Sequence, residues 1–290
     1  MIFLSKKETV NTYSKDGIVI TKGENSPKNY LFRLHNHDSY ELYLFISGDA
    51  VYNIEGRTYP LNPYDMFFVR PDEMHRVYHN SENKIYRRMI INIDDIFFTA
   101  HGIEMFKKTL IERSQGKDRK IRGSTVIESG IKDICDRLYR VIGTGETDFS
   151  PVVNALVVEL LYTMCNVDYH DKGKPGNSKV QNAIDYINEN FSEEITLDDI
   201  CKNTFISKHH LCRIFKQVTG YSVGEYINHK RLMQISFLCK NNGMSLKEAC
   251  DVSGFSNYSC FYRAYKKENG VSPREGLRLA LTANTEDTLI

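Results

Sequence analysis

The sequence predicts an α+β chain of two domains: an antiparallel β sandwich or barrel at the front, helices behind it, and an all-α domain at the end. Three observations predict this. Residues 41–93 hold short alternating or apolar runs set apart by turn residues. Residues 127–165 carry apolar side chains at helical steps. The last hundred residues state one small helical unit twice: Leu211-Cys212-Arg213-Ile214-Phe215-Lys216 runs on to Thr219-Gly220-Tyr221-Ser222, and Phe261-Tyr262-Arg263-Ala264-Tyr265-Lys266 runs on to Asn269-Gly270-Val271-Ser272.

The expected strands are Glu41 to Ile46, Val51 to Ile54, Thr58 to Leu61, Met66 to Val69 and Met89 to Ile93, punctuated by Ser47-Gly48-Asp49, Glu55-Gly56 and Asn62-Pro63. Next, Ile127, Ile131, Ile134, Leu138 and Ile142 fall three or four residues apart, and Val152 to Cys165 is a strongly apolar run. The second run is too short for a membrane span and carries Asn154 and Glu159. Helices this apolar need a partner, either the barrel or a second subunit. The polar, Gly- and Pro-containing segment 170–178 reads as a linker.

Helix starts punctuate the terminal domain. Thr196 and Asp199, Ser245 and Glu248, Ser222 and Glu225, and Ser272 and Glu275 each place a hydroxyl three residues before a carboxylate, the spacing of a capping box. Pro273 follows Ser272 at the first helical position, where its missing N–H does no harm. Gly220 and Gly270 stand where a preceding helix would end. Each unit therefore reads as helix, turn, second helix, following helix, the layout of a helix-turn-helix. Val223 to Asn241 reads as one long spacer helix with Tyr226, Ile227, Arg231, Leu232, Ile235 and Leu238 along a stripe.

In the second helix of each unit, Leu211, Ile214, Phe215 and Val218, or Phe261, Ala264 and Tyr265, form the apolar face. The opposite face carries Lys208, His209, Cys212, Arg213, Lys216 and Gln217 in one copy, and Asn257, Tyr258, Ser259, Tyr262, Arg263, Lys266 and Lys267 in the other. Residues 179–281 hold 14 Lys and Arg against 11 Asp and Glu, so the domain is only slightly basic. The charge is sorted, however, with acids on the preceding helices and bases on these faces, as a polyanion-facing surface requires. A basic amphipathic helix by itself is also an ordinary solvated face. Its repetition, with matching caps, argues for double-stranded DNA. Two such helices on one duplex face would enter major-groove segments about 34 Å apart.

These residues resemble the AraC/XylS transcriptional regulators. Gly254-Phe255-Ser256-Asn257-Tyr258-Ser259-Cys260-Phe261-Tyr262-Arg263-Ala264-Tyr265-Lys266-Lys267, followed by Gly270-Val271-Ser272-Pro273, is similar to that family's signature over about residues 179–281. Ile235, Cys260 and Gly276-Leu277-Arg278 depart from it. The resemblance implies base-facing roles for His209, Cys212, Arg213, Asn257, Tyr258, Ser259, Tyr262 and Arg263. Arg213 and Arg263 could each grip a guanine edge, while Lys216, Lys266 and Lys267 suit phosphate.

In the front domain, His35-Asn36-His37-Asp38-Ser39-Tyr40-Glu41, with Gly48 beyond, resembles the first cupin motif, and Pro71-Asp72-Glu73-Met74-His75 resembles the second. That implies a jelly-roll barrel, which the regulator family commonly carries as a sensor. His35, His37, Glu41 and His75 could form a 3-His-1-carboxylate set. Against a metal, Asp65 and Glu73 occupy glycine positions of the second motif and His75 lies one residue too early. The expectation is therefore no metal and no cofactor, with the histidines as polar lining. Arg33, Arg70, Tyr43, Tyr52 and Tyr64 are further lining candidates for a polar ligand such as a sugar.

The chain has 290 residues, net charge +1 and seven cysteines without a CxxC pair. These suit reduced thiols rather than disulfides or a zinc cluster. Met1 to Val10 is interrupted by Lys6, Lys7 and Glu8, unlike a secretory segment, so a cytoplasmic protein with no membrane partner is expected. The reading is a sensor barrel over 1–110, a helical dimerisation or packing segment over 111–169, a linker over 170–178, a tandem helix-turn-helix over 179–281 and a tail over 282–290. Its expected partners are DNA, a small-molecule effector, a second copy of the chain and RNA polymerase. One rival is a metal-dependent cupin enzyme with a DNA-binding appendage, which predicts stoichiometric metal. Another is a constitutive DNA binder whose barrel only dimerises.

Overall fold

The computed structural model describes residues 9–25, 34–71, 73–81, 84–111, 119–143, 150–167, 174–175 and 177–276. Arg33, Asp72, residues 170–173 and 176 of the expected linker, Leu277, Arg278 and the 282–290 tail lie outside the described residues. The chain divides into two units, Met1–Pro175 and Gly176–Ile290.

The first unit contains β1 (Thr9–Lys15), β2 (Ile18–Asn25), β3 (Tyr40–Ser47), β4 (Ala50–Ile54), β5 (Arg57–Pro60), β6 (Met66–Val69), β7 (His75–His79), β8 (Tyr86–Ile93), β9 (Lys120–Ile121) and β10 (Lys174–Pro175). All pairings are antiparallel. One sheet has the order β1-β2-β8-β3-β6-β9 and the other β10-β5-β4-β7. Two tight hairpins set the local register. Asp16-Gly17 joins β1 to β2 and Glu55-Gly56 joins β4 to β5, each with both residues at positive φ, as a type I′ turn requires.

The period of two in a strand sorts side chains between two cores. Tyr40, Leu42 and Leu44 of β3, with Met66 and Phe68 of β6 and Met89, Ile91 and Ile93 of β8, face the helices α1 (Asp95–Ala100), α2 (Glu104–Ile111), α3 (Gly123–Glu128), α4 (Ile131–Gly143) and α5 (Ser150–Cys165). The alternate residues Tyr43, Phe45, Phe67 and Val69 pack with Ala50, Tyr52, Ile54, Tyr59 and Val77 of the second sheet. The larger sheet thus lies between the smaller sheet and a helical layer, and Glu41, of the same parity as Tyr43, belongs to the inter-sheet side.

Three expectations need correction. The apolar series from Ile127 to Ile142 is two helices, broken at Ser129-Gly130 where Gly130 takes φ 81°. Ile127 lies 51% exposed rather than on the packed face. Within the expected linker, Lys174–Pro175 is a strand paired with Arg57–Thr58. Among the described residues no helix is long and apolar enough to cross a membrane.

Asp65 and Glu73, the two departures from glycine, have a structural role. Asp65 is 2.8 Å from the Lys120 Nζ and Glu73 is 2.9 Å from the Arg119 Nη2, all four side chains buried. Consecutive bases at 119–120 meet two acids on the β6 side, which ties β9 to the sheet.

In the second unit, α6 (Ser178–Asn190), α7 (Leu197–Thr204), α8 (Lys208–Thr219), α9 (Val223–Asn242), α10 (Leu246–Asp251) and α11 (Tyr258–Asn269) follow the capping chemistry. Thr196, Ser222 and Ser245 form reciprocal capping boxes at α7, α9 and α10, and Asn257 caps α11. Gly220 and Gly270 end α8 and α11 in the left-handed conformation. At Ser272 the hydroxyl accepts from the Glu275 N–H at 3.3 Å. Helix α9 is the spine. Its first half meets α8 through Phe215 against Tyr226, ring centroids 5.4 Å apart. Its second half shares a core with α10 and α11, made by Leu232, Ile235, Ala249, Cys250, Phe255 and Phe261.

Candidate functional site

Two places in the molecule concentrate chemistry, one in each unit. On α8, Leu211, Ile214 and Phe215 are buried, while Lys208, His209, Cys212, Arg213 and Lys216 are exposed. On α11, Phe261 is buried, while Asn257, Tyr258, Ser259, Tyr262, Arg263, Lys266 and Lys267 are exposed. All twelve candidate DNA-contacting side chains thus lie on solvated faces opposite the packed ones. Their immediate partners differ. Lys208 pairs with Asp198 at 2.7 Å and Lys267 with Glu225 at 3.0 Å. Arg263 reaches the Ser259 carbonyl and the Cys260 Sγ, both at 3.4 Å. Arg213 lies 3.4 Å from the His210 Nδ1. Both guanidiniums are held by long, local contacts within their own helix. The Asn257 side-chain oxygen accepts from the Cys260 N–H at 2.9 Å, capping α11.

Arg231, which the sequence placed in an otherwise apolar stripe, ties α9 to the loop between α6 and α7. Its Nε and Nη2 donate to the carbonyls of Phe191 and Glu193, each at 2.7 Å. Gly254, at φ +80°, packs on the same loop: a Cβ there would sit 2.6 Å from the Phe191 oxygen. A charged residue interrupting an apolar series was the available signal for this contact.

The other place lies at one end of the inter-sheet core. Neither His35 nor His37 sits on a regular strand, so the expectation that alternation alone points them inward does not describe them. His35 instead makes an isolated bridge to His75, each backbone N–H donating to the other's carbonyl, at 3.0 and 2.8 Å. The side chain of His37 is brought in by a hydrogen bond from its Nδ1 to the Ser39 carbonyl at 2.9 Å. His75 Nδ1 donates to the Glu73 carbonyl at 2.8 Å. Glu41 Oε2 lies 3.2 Å from His37 Nε2 and 3.8 Å from His75 Nε2, and Tyr52 donates to Glu41 Oε1 at 2.8 Å. His37, Glu41 and His75 each offer a donor atom, all within 4.8 Å of one another.

The electrostatics follow from burial and proximity. Burial pushes His75 down to about 3, and the neighbouring His35 and His37 act in the same direction against the attraction of Glu41. Burial also opposes charge on Glu41, yet His75, His37 and the Tyr52 hydroxyl outweigh it and hold the carboxyl below its usual range. For His37, burial is outweighed by the hydrogen bond and charge of Glu41, which raise it. Burial lifts Tyr43 and Tyr52 well above an ordinary phenol and Tyr86 to about 12, so all three are neutral donors.

The remaining lining candidates divide. Tyr43 and Tyr52 lie in the inter-sheet core with ring centroids 4.5 Å apart, and Tyr43 hydrogen-bonds the hydroxyl of Tyr86, a residue the sequence reading passed over. Tyr64 packs instead against the core on the helix side of the sheet. Arg70 donates to the Ile111 carbonyl at 3.1 Å and lies 3.6 Å from Glu73, which ties it to the buried ion-pair network. His35 is exposed, its ring centroid 4.4 Å from that of His75.

Comparison with known proteins matches residues 17–101 to an AraC-like ligand binding domain and residues 200–278 to a helix-turn-helix domain. The HTH-type transcriptional activator RhaR of Mannheimia succiniciproducens is 20% identical over 250 residues, covering 84% of this chain and 86% of that protein. RhaS of Escherichia coli, another HTH-type transcriptional activator, is 20% identical over 84% of this chain and 87% of its own. The HTH-type transcriptional regulator YfiF of Bacillus subtilis is 22% identical over 83% of this chain and 77% of its own. Among solved structures, ToxT from Vibrio cholerae covers 90% of this chain and 98% of its own at 15% identity and a TM-score of 0.35. The C-terminal domain of AraT from Geobacillus stearothermophilus covers 36% of this chain and 86% of its own at 27% identity and a TM-score of 0.34.

Proposed function

Because the chain belongs to the AraC family of transcriptional regulators, an AraC-like ligand-binding domain followed by a helix-turn-helix domain, we propose that it reads DNA with two helix-turn-helix units. In this reading α8 and α11 enter successive major-groove segments. The observation that carries it is the matched pair of amphipathic helices, each burying its apolar stripe and leaving its basic face in solvent. Arg213 and Arg263 read base edges, and Lys216, Lys266 and Lys267 hold phosphate, with Lys267 first leaving Glu225.

The front unit is a cupin-like jelly roll that senses a polar small molecule, a carbohydrate being the favoured class. The cluster of His37, Glu41, Tyr52 and His75 supplies the mixture of donors and acceptors that fixes a hydroxylated ligand. The chain acts in the cytoplasm as a homodimer and as an activator that engages RNA polymerase. The effector must bind one of two states more tightly to move the equilibrium between them.

Selection from a randomised duplex library tests the reading. Two base-specific blocks about one helical turn apart are expected, one relaxed by Arg213→Ala and the other by Arg263→Ala, each costing about 1–3 kcal/mol. Weak binding with a steep salt dependence and no enriched block would refute it. With a selected duplex in hand, candidate sugars that leave DNA affinity unmoved would count against a carbohydrate effector.

A further inference from the structure

We propose that His37 Nε2, Glu41 Oε2 and His75 Nε2 form a three-ligand site for a first-row divalent ion such as Zn2+ or Fe2+, with coordination positions left open to the effector. The proposal rests on the reading of the front unit as a sensor.

The argument is one of lone pairs. A backbone carbonyl can only accept, so the contacts of His37 Nδ1 with the Ser39 oxygen and of His75 Nδ1 with the Glu73 oxygen place a proton on each Nδ1. Both neutral imidazoles then present an Nε2 lone pair to the same carboxylate oxygen. A proton on His37 Nε2 would satisfy the contact with Glu41, but His75 Nε2 would remain buried without a hydrogen-bond partner. A single cation satisfies all three atoms together. An ion about 2.1 Å from each ligand in tetrahedral geometry needs ligand atoms about 3.4 Å apart; Glu41 Oε2 lies 3.2 and 3.8 Å from the two Nε2 atoms, and all three ligand atoms fall within 4.8 Å of one another, so the imidazoles close slightly on the ion.

The surroundings are those of a metal site. Each imidazole has its second nitrogen fixed by a carbonyl, and Tyr52 holds the carboxylate oxygen that does not face the histidines. Two histidines and one carboxylate form the facial set that leaves positions open. Solvent reaches the cluster from the His37 side, where the side chain is 23% exposed against 2% for His75 and 6% for Glu41. The set differs from the four-ligand arrangement, because His35 is not among the converging groups.

The test uses full-length protein stripped with a chelator and titrated with Zn2+ by calorimetry and with Co2+ by its ligand-field absorption. One ion per chain is expected. Tyr52→Phe should weaken binding about tenfold, and His37→Gln, which removes a ligand, by more than about a hundredfold. No saturable uptake by the wild-type protein, or uptake that both variants leave unchanged, would overturn the proposal. DNA affinity of the loaded and stripped protein is read separately. Sugars that shift DNA affinity in protein that takes up no ion would sink the metal site and leave the sensor reading intact.

Discussion

Gly254→Ala is the most incisive perturbation of the second unit, because its cost can be worked from two independent observations. Gly254 holds φ +80°, a left-handed conformation that costs an L-residue about 1–2 kcal/mol. An added Cβ would also stand 2.6 Å from the Phe191 carbonyl oxygen, 2.8 Å from the Ser192 carbon and 2.9 Å from the Arg231 Nε. Two of those neighbours are backbone, and the third is held by two carbonyl hydrogen bonds. They cannot rotate away, so overpacking adds about 1–3 kcal/mol. Together the loss is about 2–5 kcal/mol, a large share of the roughly 5–15 kcal/mol that holds a domain folded. The chain contains no tryptophan, so denaturant unfolding is followed through helical circular dichroism. The loop that Gly254 contacts also joins α6 to α7, so under the proposed function DNA affinity should fall with stability. A change under about 0.5 kcal/mol, the size of an ordinary surface substitution, would show that the loop yields.

Earlier in the same unit, the left-handed residue between α7 and α8 is Phe205, at φ 56° and 94% exposed. There Phe205→Gly should stabilise the protein by about 0.5–1 kcal/mol, since relief of left-handed strain exceeds the added freedom of glycine in the unfolded chain; a lowered denaturation midpoint would contradict this. Glu73→Gln should destabilise the front unit by about 3–5 kcal/mol, because it leaves the Arg119 guanidinium buried without its counter-charge, and calorimetry of the full chain measures it. Glu225 is held down to about 2 by its hydrogen bonds to Lys267 and to Ser222. Its folded-state value is depressed, so its contribution is present above about pH 4.5 and is lost as pH falls towards 2. Being at the surface it is worth at most about 1 kcal/mol, and Glu225→Gln should flatten that part of the acid-unfolding curve. Lys266→Ala should weaken binding to all duplexes alike and reduce the salt dependence by about one phosphate contact, as a titration across salt concentrations would register.

Much of the second unit was legible because its signals are local. A hydroxyl three residues before a carboxylate or a glycine after a basic turn acts within one helical turn, and the duplicated text states each signal twice. The front unit was legible where alternation and turn residues coincided, as from Glu41 to Val69. Strands β1 and β2 were passed over although Asp16-Gly17 announces their hairpin as Glu55-Gly56 announces the next one. Strand β7 follows a segment dense in charge and carries His75, Arg76 and His79, so its apolar content is too low to mark it.

By itself the sequence determined the helix caps, the two amphipathic faces and the alternation that separates the two cores, because each depends on residues close along the chain. Only the tertiary structure decided which distant groups share a site. Glu41 and His75 are 34 positions apart in a chain whose antiparallel sheets bring β3 and β7 together. Arg119 and Lys120 neutralise acids that looked like defects in a motif, and Arg231 turns from a misplaced charge into the tie between α9 and the loop that joins α6 to α7. Buried polar groups must find partners wherever the fold supplies them, and periodicity along the chain carries no record of where that is.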